Sequence, residues 1–98
     1  MTATERKAYR TVHKRDRSRC IFCGSGVVEV HHIVYRSHGG ITDKRNMVLL
    51  CRKCHTMVHS DEPRWREYLL DRMRGHYGMI ELDDLKEKGK YKDFAYPN

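Results

Sequence analysis

The fold turns on three pieces of one stretch: Cys20-Ile21-Phe22-Cys23-Gly24, then Glu29-Val30-His31-His32-Ile33, then Asn46-Met47-Val48-Leu49-Leu50-Cys51-Arg52-Lys53-Cys54-His55-Thr56-Met57-Val58-His59. Two Cys-x-x-Cys pairs, Cys20/Cys23 and Cys51/Cys54, stand 27 residues apart. Each pair lets two thiolates reach one tetrahedral ion at Zn–S distances of about 2.3 Å. Four sulfur ligands fill the coordination sphere, so the pattern predicts a structural zinc site with no position left for substrate. Two disulfides or four free thiols are the alternatives for the same cysteines. A redox Cys-x-x-Cys fits less well, because neither pair has the strand-then-helix setting that chemistry uses.

The same stretch carries four of the chain's seven histidines: His31, His32, His55 and His59. His55 and His59 are four residues apart, so on a helix they share a face and can hold one ion. Cys54 and His55 are adjacent and point about 100° apart on that helix. One short helix can therefore feed two metals from two faces. His31 and His32 close a β-branched run, and neighbouring strand residues point to opposite sides. For both to serve one centre the strand must twist or end there, with one histidine a ligand and the other a proton acceptor. Three imidazole ligands would leave coordination positions open for water and a phosphate oxygen. The competing readings are that His55 and His59 join the cysteines at one zinc ion, or are surface residues. His13, His38 and His76 read as ordinary histidines, with His38 alone near enough to the Gly39-Gly40 loop to approach a substrate.

Working outward, 98 residues allow one domain, residues 1–98, with a thin core. Apolar residues are 39% and charged residues 34% of the chain, a balance that calls for a covalent or metal staple. The first twenty residues are basic and polar, with no apolar leader, and the longest apolar run is only Met47 to Cys51. The expectation is a cytoplasmic protein with no membrane contact, in a compartment that keeps thiols reduced. A net charge of +7 points to a polyanionic partner, or merely to a basic surface.

Residues 1–19 read as a basic N-terminal helical segment, with the helix over residues 2–15. Thr2-Ala3-Thr4-Glu5 forms a capping box, Ala8, Tyr9 and Val12 form an apolar stripe, and Arg6, Lys7, Arg10 and Lys14 face outward. Residues 20–59 form the knuckle and the metal core: a strand over Val27–Tyr35, a loop over Ser37–Asn46 pivoting on Gly39-Gly40, a strand over Met47–Leu50, and a helix over Arg52–His59. Residues 60–98 read as C-terminal helices and a tail. Ser60 or Asp61 caps a helix with Pro63 in its first turn. Trp65, Tyr68, Leu69 and Met73 supply its apolar side, and Gly75 and Gly78 end it. Glu81–Lys88 is a further candidate helix, and Tyr91, Phe94 and Tyr96 are candidate anchors in the tail.

Taken together, Glu29-Val30-His31-His32-Ile33, Gly39-Gly40, Asn46 to Cys51, Cys54-His55 and His59 resemble the motif of the HNH endonucleases, and the cysteine pairs resemble its zinc-knuckle subgroup. The resemblance covers residues 20–59. It implies an α+β fold, a small ββα-metal core stapled by the four-cysteine zinc site and flanked by N- and C-terminal helices. It implies a metal-dependent DNA endonuclease, nicking or cutting both strands to leave 5′-phosphate and 3′-hydroxyl ends. His31, His55 and His59 would hold one catalytic divalent ion (zinc, nickel, manganese or magnesium), His32 would be the general base, and Asn46 would fix the loop. In many relatives the first ligand is Asp where His31 stands here.

Arg36, Lys44, Arg45, Arg52 and Lys53 flank the motif and are candidate phosphate contacts, which carry no sequence information. With no separate reader domain, intrinsic specificity should be low or supplied by a phage or bacterial DNA-processing partner. The alternative is a zinc-stabilised module that binds nucleic acid or protein without chemistry.

Overall fold

The computed structural model describes residues 1–87. The expected aromatic anchors Tyr91, Phe94 and Tyr96, and Lys88 at the end of the last candidate helix, lie outside the described residues. Helix α1 spans Ala3–Arg15, strand β1 Glu29–His32, strand β2 Met47–Leu50, helix α2 Arg52–Ser60 and helix α3 Glu62–Tyr77. Short 3₁₀ turns occupy Arg36–His38, Lys44–Asn46 and Leu82–Leu85.

Helix α1 begins where its sequence says it should. Thr2 accepts from the Glu5 amide at 3.1 Å, and the Glu5 carboxylate accepts from the Thr2 amide at 2.9 Å. The two strands pair antiparallel, His31 opposite Val48 and His32 opposite Met47. That register sorts side chains by parity. Met47 and Leu49 pack with Val12 of α1 on one face, and Val30 joins them. Val48 and Leu50 pack with Val58, Leu69, Leu70 and Met73 of α2 and α3 on the other. All four β2 residues are fully buried, which explains an unbroken apolar run where a half-exposed strand would alternate.

Three expectations need correction. Strand β1 stops at His32 rather than Tyr35, because the Val34 amide donates to the Asn46 side chain at 2.8 Å instead of to a strand neighbour. Its start moves to Glu29, and Val27 is exposed. Helix α3 passes through Gly75 and ends at Gly78, whose φ of 82° lies in the left-handed region that favours glycine. Tyr68 is half exposed, while Leu70, absent from the expected stripe, is buried. Of the segment read as a helix over Glu81–Lys88, the described residues hold a single 3₁₀ turn, Leu82–Leu85, with Leu85 buried.

At the end of that turn the Leu85 carbonyl accepts from the Ile41 amide at 2.9 Å, and beyond it the Glu87 amide donates to the Gly39 carbonyl at 2.8 Å. The chain thus lays a short bridge across the Gly39–Ile41 loop. Gly40 faces the Val34 carbonyl oxygen so closely that a Cβ there would overlap it.

Asp16, just past α1, ties the layers together. Its carboxylate pairs with Arg15 and accepts from the Leu49 amide at 3.1 Å. Arg15 donates to the carbonyls of Met47 at 2.6 Å and Lys44 at 2.8 Å, and to the Tyr77 hydroxyl at 3.1 Å. With the Asp16 side chain only 2% exposed, the pair is a buried clamp joining α1, β2 and α3.

Candidate metal centres

Helix α2 supplies residues to two clusters. Sγ atoms of Cys20, Cys23, Cys51 and Cys54 all lie within 4.8 Å of one another, with Cys23 and Cys51 3.5 Å apart. None is in a disulfide. Cys20 and Cys23 sit on a knuckle closed by the Gly24 amide donating to the Cys20 carbonyl at 2.9 Å, and Gly24 takes a φ of 80° there. Cys51 is the N-cap of α2, its sulfur accepting from the Cys54 amide at 3.4 Å.

The thiols compete for negative charge. Burial works against a thiolate at Cys20, but amide donors at Cys51, Cys23 and Phe22 outweigh it and hold its pKa at about 6. Burial, reinforced by its three sulfur neighbours, pushes Cys54 up to about 12. Four sulfurs this close cannot all be anionic without a cation among them, and this is the donor set a tetrahedral soft-metal ion takes. The residues fit the group that the sequence predicts.

On the other side of α2, His31, His55 and His59 each offer a ring nitrogen, again all within 4.8 Å of one another. Ring centroids are 5.0 Å apart for His31 and His55, and 4.7 Å for His55 and His59. His31 is buried, and burial, followed by the charges of His55, His59 and His32, pushes its pKa down to about 3. A neutral imidazole is the form that ligates. The donor set therefore fits a divalent ion with open positions.

The surrounding side chains hold these rings. Glu29 lies on the His31 side of β1 by parity, and its Oε1 is 2.6 Å from His55 Nδ1. A carboxylate can only accept here, so Nδ1 carries the proton and His55 Nε2 is left bare, the usual arrangement behind a metal-ligating histidine. Glu29 also pairs with Arg52 at 3.3 Å. Arg52, Glu29, His55, Thr56 and His59 line one open cleft.

His32 belongs to the opposite face of the sheet and is not part of the three-histidine cluster. Its Nε2 is 3.2 Å from Thr42 Oγ1. Burial, then the charge of Arg36, lowers its pKa below the ordinary histidine value. Asn46 is fully buried. Its Oδ1 accepts from the Val34 amide at 2.8 Å, while Nδ2 donates to the carbonyls of Ile41 at 2.8 Å and Val34 at 3.1 Å. One side chain thereby stitches both ends of the loop that follows His32.

The candidate phosphate contacts are dispersed. Arg52 is exposed at the cleft, and Lys53 is exposed on α2. Arg36 lies on the His32 side, bordering a concavity with Thr42 and Tyr9. Arg45 is engaged with Asp43 at 2.9 Å, and Lys44 sits over the Tyr77 ring at 5.1 Å. Sequence reasoning gave no role to Glu29, Thr42 or Tyr35, whose hydroxyl is 3.0 Å from His59 Nδ1. Glu29 had a usable signal, since it stands two residues before His31 and so shares its face.

A family model described as HNH endonuclease matches residues 20–61, a span holding all four cysteines and His31, His32, Asn46, His55 and His59. A protein named anaredoxin, from Nostoc sp. (strain PCC 7120 / SAG 25.82 / UTEX 2576), is 36% identical over 59 residues, which cover 58% of this chain and 78% of that relative. The chain belongs to the HNH endonuclease family, with its four cysteines positioned as a zinc knuckle. That membership points to nuclease chemistry in general. No helix among the described residues is long and apolar enough to cross a membrane.

Proposed function

We propose that the protein is a metal-dependent DNA endonuclease that hydrolyses phosphodiester bonds, nicking or cutting both strands, to 5′-phosphate and 3′-hydroxyl ends. The observation that carries this reading is the pair of clusters on α2: a closed set of four thiols beside an open set of three imidazoles. Binding alone needs only the first.

In this reading Cys20, Cys23, Cys51 and Cys54 hold zinc and keep the knuckle against α2. His31, His55 and His59 hold a second divalent ion, for which imidazoles suit zinc, nickel or manganese better than magnesium. That ion, when bound, supplies Lewis-acid stabilisation of the charge that builds on the phosphoryl and leaving oxygens. His32 takes a proton from the attacking water. With Nε2–H donating to Thr42, its Nδ1 lone pair is the basic atom, and burial keeps it neutral. The water oxygen bonds to phosphorus as the bond to the 3′ oxygen breaks, and that oxygen leaves with a solvent proton. Asn46 sets the loop against which His32 is oriented. Arg36, Lys44, Arg45, Arg52 and Lys53 contact backbone phosphates, Arg45 while sharing its charge with Asp43. Contacts of this kind give low intrinsic sequence specificity, which a phage or bacterial DNA-processing partner in the cytoplasm would raise.

The second reading is a zinc-stabilised nucleic-acid-binding or protein-interaction module without catalysis, and the relative's name, anaredoxin, is not that of a nuclease. Supercoiled plasmid relaxation in magnesium, manganese, nickel or zinc separates the two. The endonuclease converts supercoiled plasmid to nicked or linear forms with at least one of these ions, and His32→Ala loses at least a hundredfold in rate, the usual share of a general base. Intact plasmid in every ion, or a His32→Ala protein that cuts as fast as wild type, sinks the catalytic reading.

A further inference from the structure

His59 is the loosely placed member of the three imidazoles. His31 is fixed by burial and His55 by the Glu29 carboxylate, whereas His59 is exposed near the C-terminal end of α2. An exposed imidazole samples several rotamers and either tautomer, and only some of these aim a bare nitrogen at a shared ion. One side chain restrains it. Tyr35 Oη lies 3.0 Å from His59 Nδ1, and the two rings stack with centroids 4.8 Å apart and planes 25° apart. His38 stacks on Tyr35 in turn, at 5.5 Å and 21°, and the edge of the Tyr35 and His31 pair closes at 6.0 Å. Tyr35 thus touches two of the three imidazoles and is itself backed by a third ring.

We propose that Tyr35 is a positioning residue of the open metal centre, its phenol oxygen accepting from His59 Nδ1–H so that Nε2 is presented to the ion. The proposal rests on His31, His55 and His59 being the ligand set. The direction of the hydrogen bond follows from what ligation requires. Were the phenol the donor, Nδ1 would hold the lone pair and Nε2 would carry the proton, leaving nothing to ligate on that side. With the phenol as acceptor, His59 takes the same tautomer that Glu29 imposes on His55. Two imidazoles one helical turn apart then offer matching nitrogens. The loop that follows β1 therefore reaches back over the centre and holds the ligand farthest along α2.

Stack and hydrogen bond can be separated, because Tyr35→Phe removes only the oxygen. The test uses the full chain with its cysteine site zinc-loaded. Nickel is titrated by calorimetry, and the histidine ring nitrogens are read by ¹⁵N–¹H correlation spectra before nickel is added. Tyr35→Phe should bind nickel about tenfold more weakly than wild type, at the lower end of what removing such a partner costs. Its His59 should change from the Nδ1–H tautomer to a mixture, with the His55 ring signals unmoved. Tyr35→Leu, which removes the stack as well, should weaken binding further. A Tyr35→Phe protein with wild-type nickel affinity and an unchanged His59 tautomer overturns the proposal. Nickel binding that survives His55→Ala overturns the ligand set and the proposal with it. The tautomer spectra need no metal, so a wild-type His59 found protonated on Nε2 would make the phenol the donor and overturn the proposal by itself, whatever the plasmid assay gives.

Discussion

The two clusters share one nine-residue helix, α2, which supplies part of each, and differ in nearly everything else. The cysteine cluster is held by backbone: knuckle amides, an N-cap and β2 fix the sulfurs, and every ligand place is taken. The histidine cluster is held by side chains: a carboxylate behind His55, a phenol behind His59, burial behind His31. A centre whose ligands are set by the main chain is rigid and belongs to the fold. A centre whose ligands are set by neighbouring side chains can be weakened one contact at a time without unfolding the protein. In the proposed enzyme the difference would let a short chain keep a stabilising ion and a reactive one a few residues apart without confusing them.

That contrast can be broken at three levels. The largest effect should come from Cys51→Ala, which removes a thiolate and the N-cap of α2 together. Structural zinc contributes on the order of 10 kcal/mol, as much as the whole stability of a small domain, so the variant should lose its cooperative thermal transition and its bound zinc. A folded, zinc-replete Cys51→Ala protein would show the knot to be dispensable. Next is Asn46→Ala, which strands the buried Val34 amide and leaves the Ile41 carbonyl without its donor. A loss of about 3 kcal/mol is expected, a drop in melting temperature of roughly 15 °C for a chain this size. Cleavage should fall as well, whereas a purely local defect would leave the melting curve where it was. The smallest effect should be Glu29→Gln, with nickel affinity down about tenfold and melting nearly unchanged. Equal affinities would mean His55 needs no carboxylate behind it.

What the sequence made legible follows covalent spacing. Two Cys-x-x-Cys pairs, a histidine pair one helical turn apart and a capping box are local patterns, and each survives into the fold because backbone geometry dictates it. The α+β arrangement was implied by the resemblance to the HNH endonucleases. Strand ends were harder. The β-branched run continues past His32, and only the side chain of Asn46, twelve residues beyond Val34, diverts the pairing. Partners across long loops were not legible at all. Glu29 meets His55 over 26 residues, Tyr35 meets His59 over 24, and Arg15 reaches Tyr77 over 62. No periodicity encodes such meetings; they exist only once the sheet and helices have docked. Helix α3 ran through Gly75 for a related reason, since packing of Leu69, Leu70 and Met73 outweighs the roughly 1 kcal/mol a helical glycine costs.

The junction of His31 and His32 has a consequence for how such a centre can vary. One residue faces α2 and the next faces α1, with the strand ending at the second of them. In the proposed enzyme the ion's first ligand and the proton acceptor are separated by a single peptide unit, about 3.8 Å from Cα to Cα. No hinge or loop length can retune that spacing. Changes in the loop after His32 can disturb Tyr35, Thr42 or Asn46, but they leave that one spacing as it is. An inserted residue at this one junction would instead reverse the face on which everything upstream in β1 is displayed, sending Glu29 and its hold on His55 to the wrong side of the sheet.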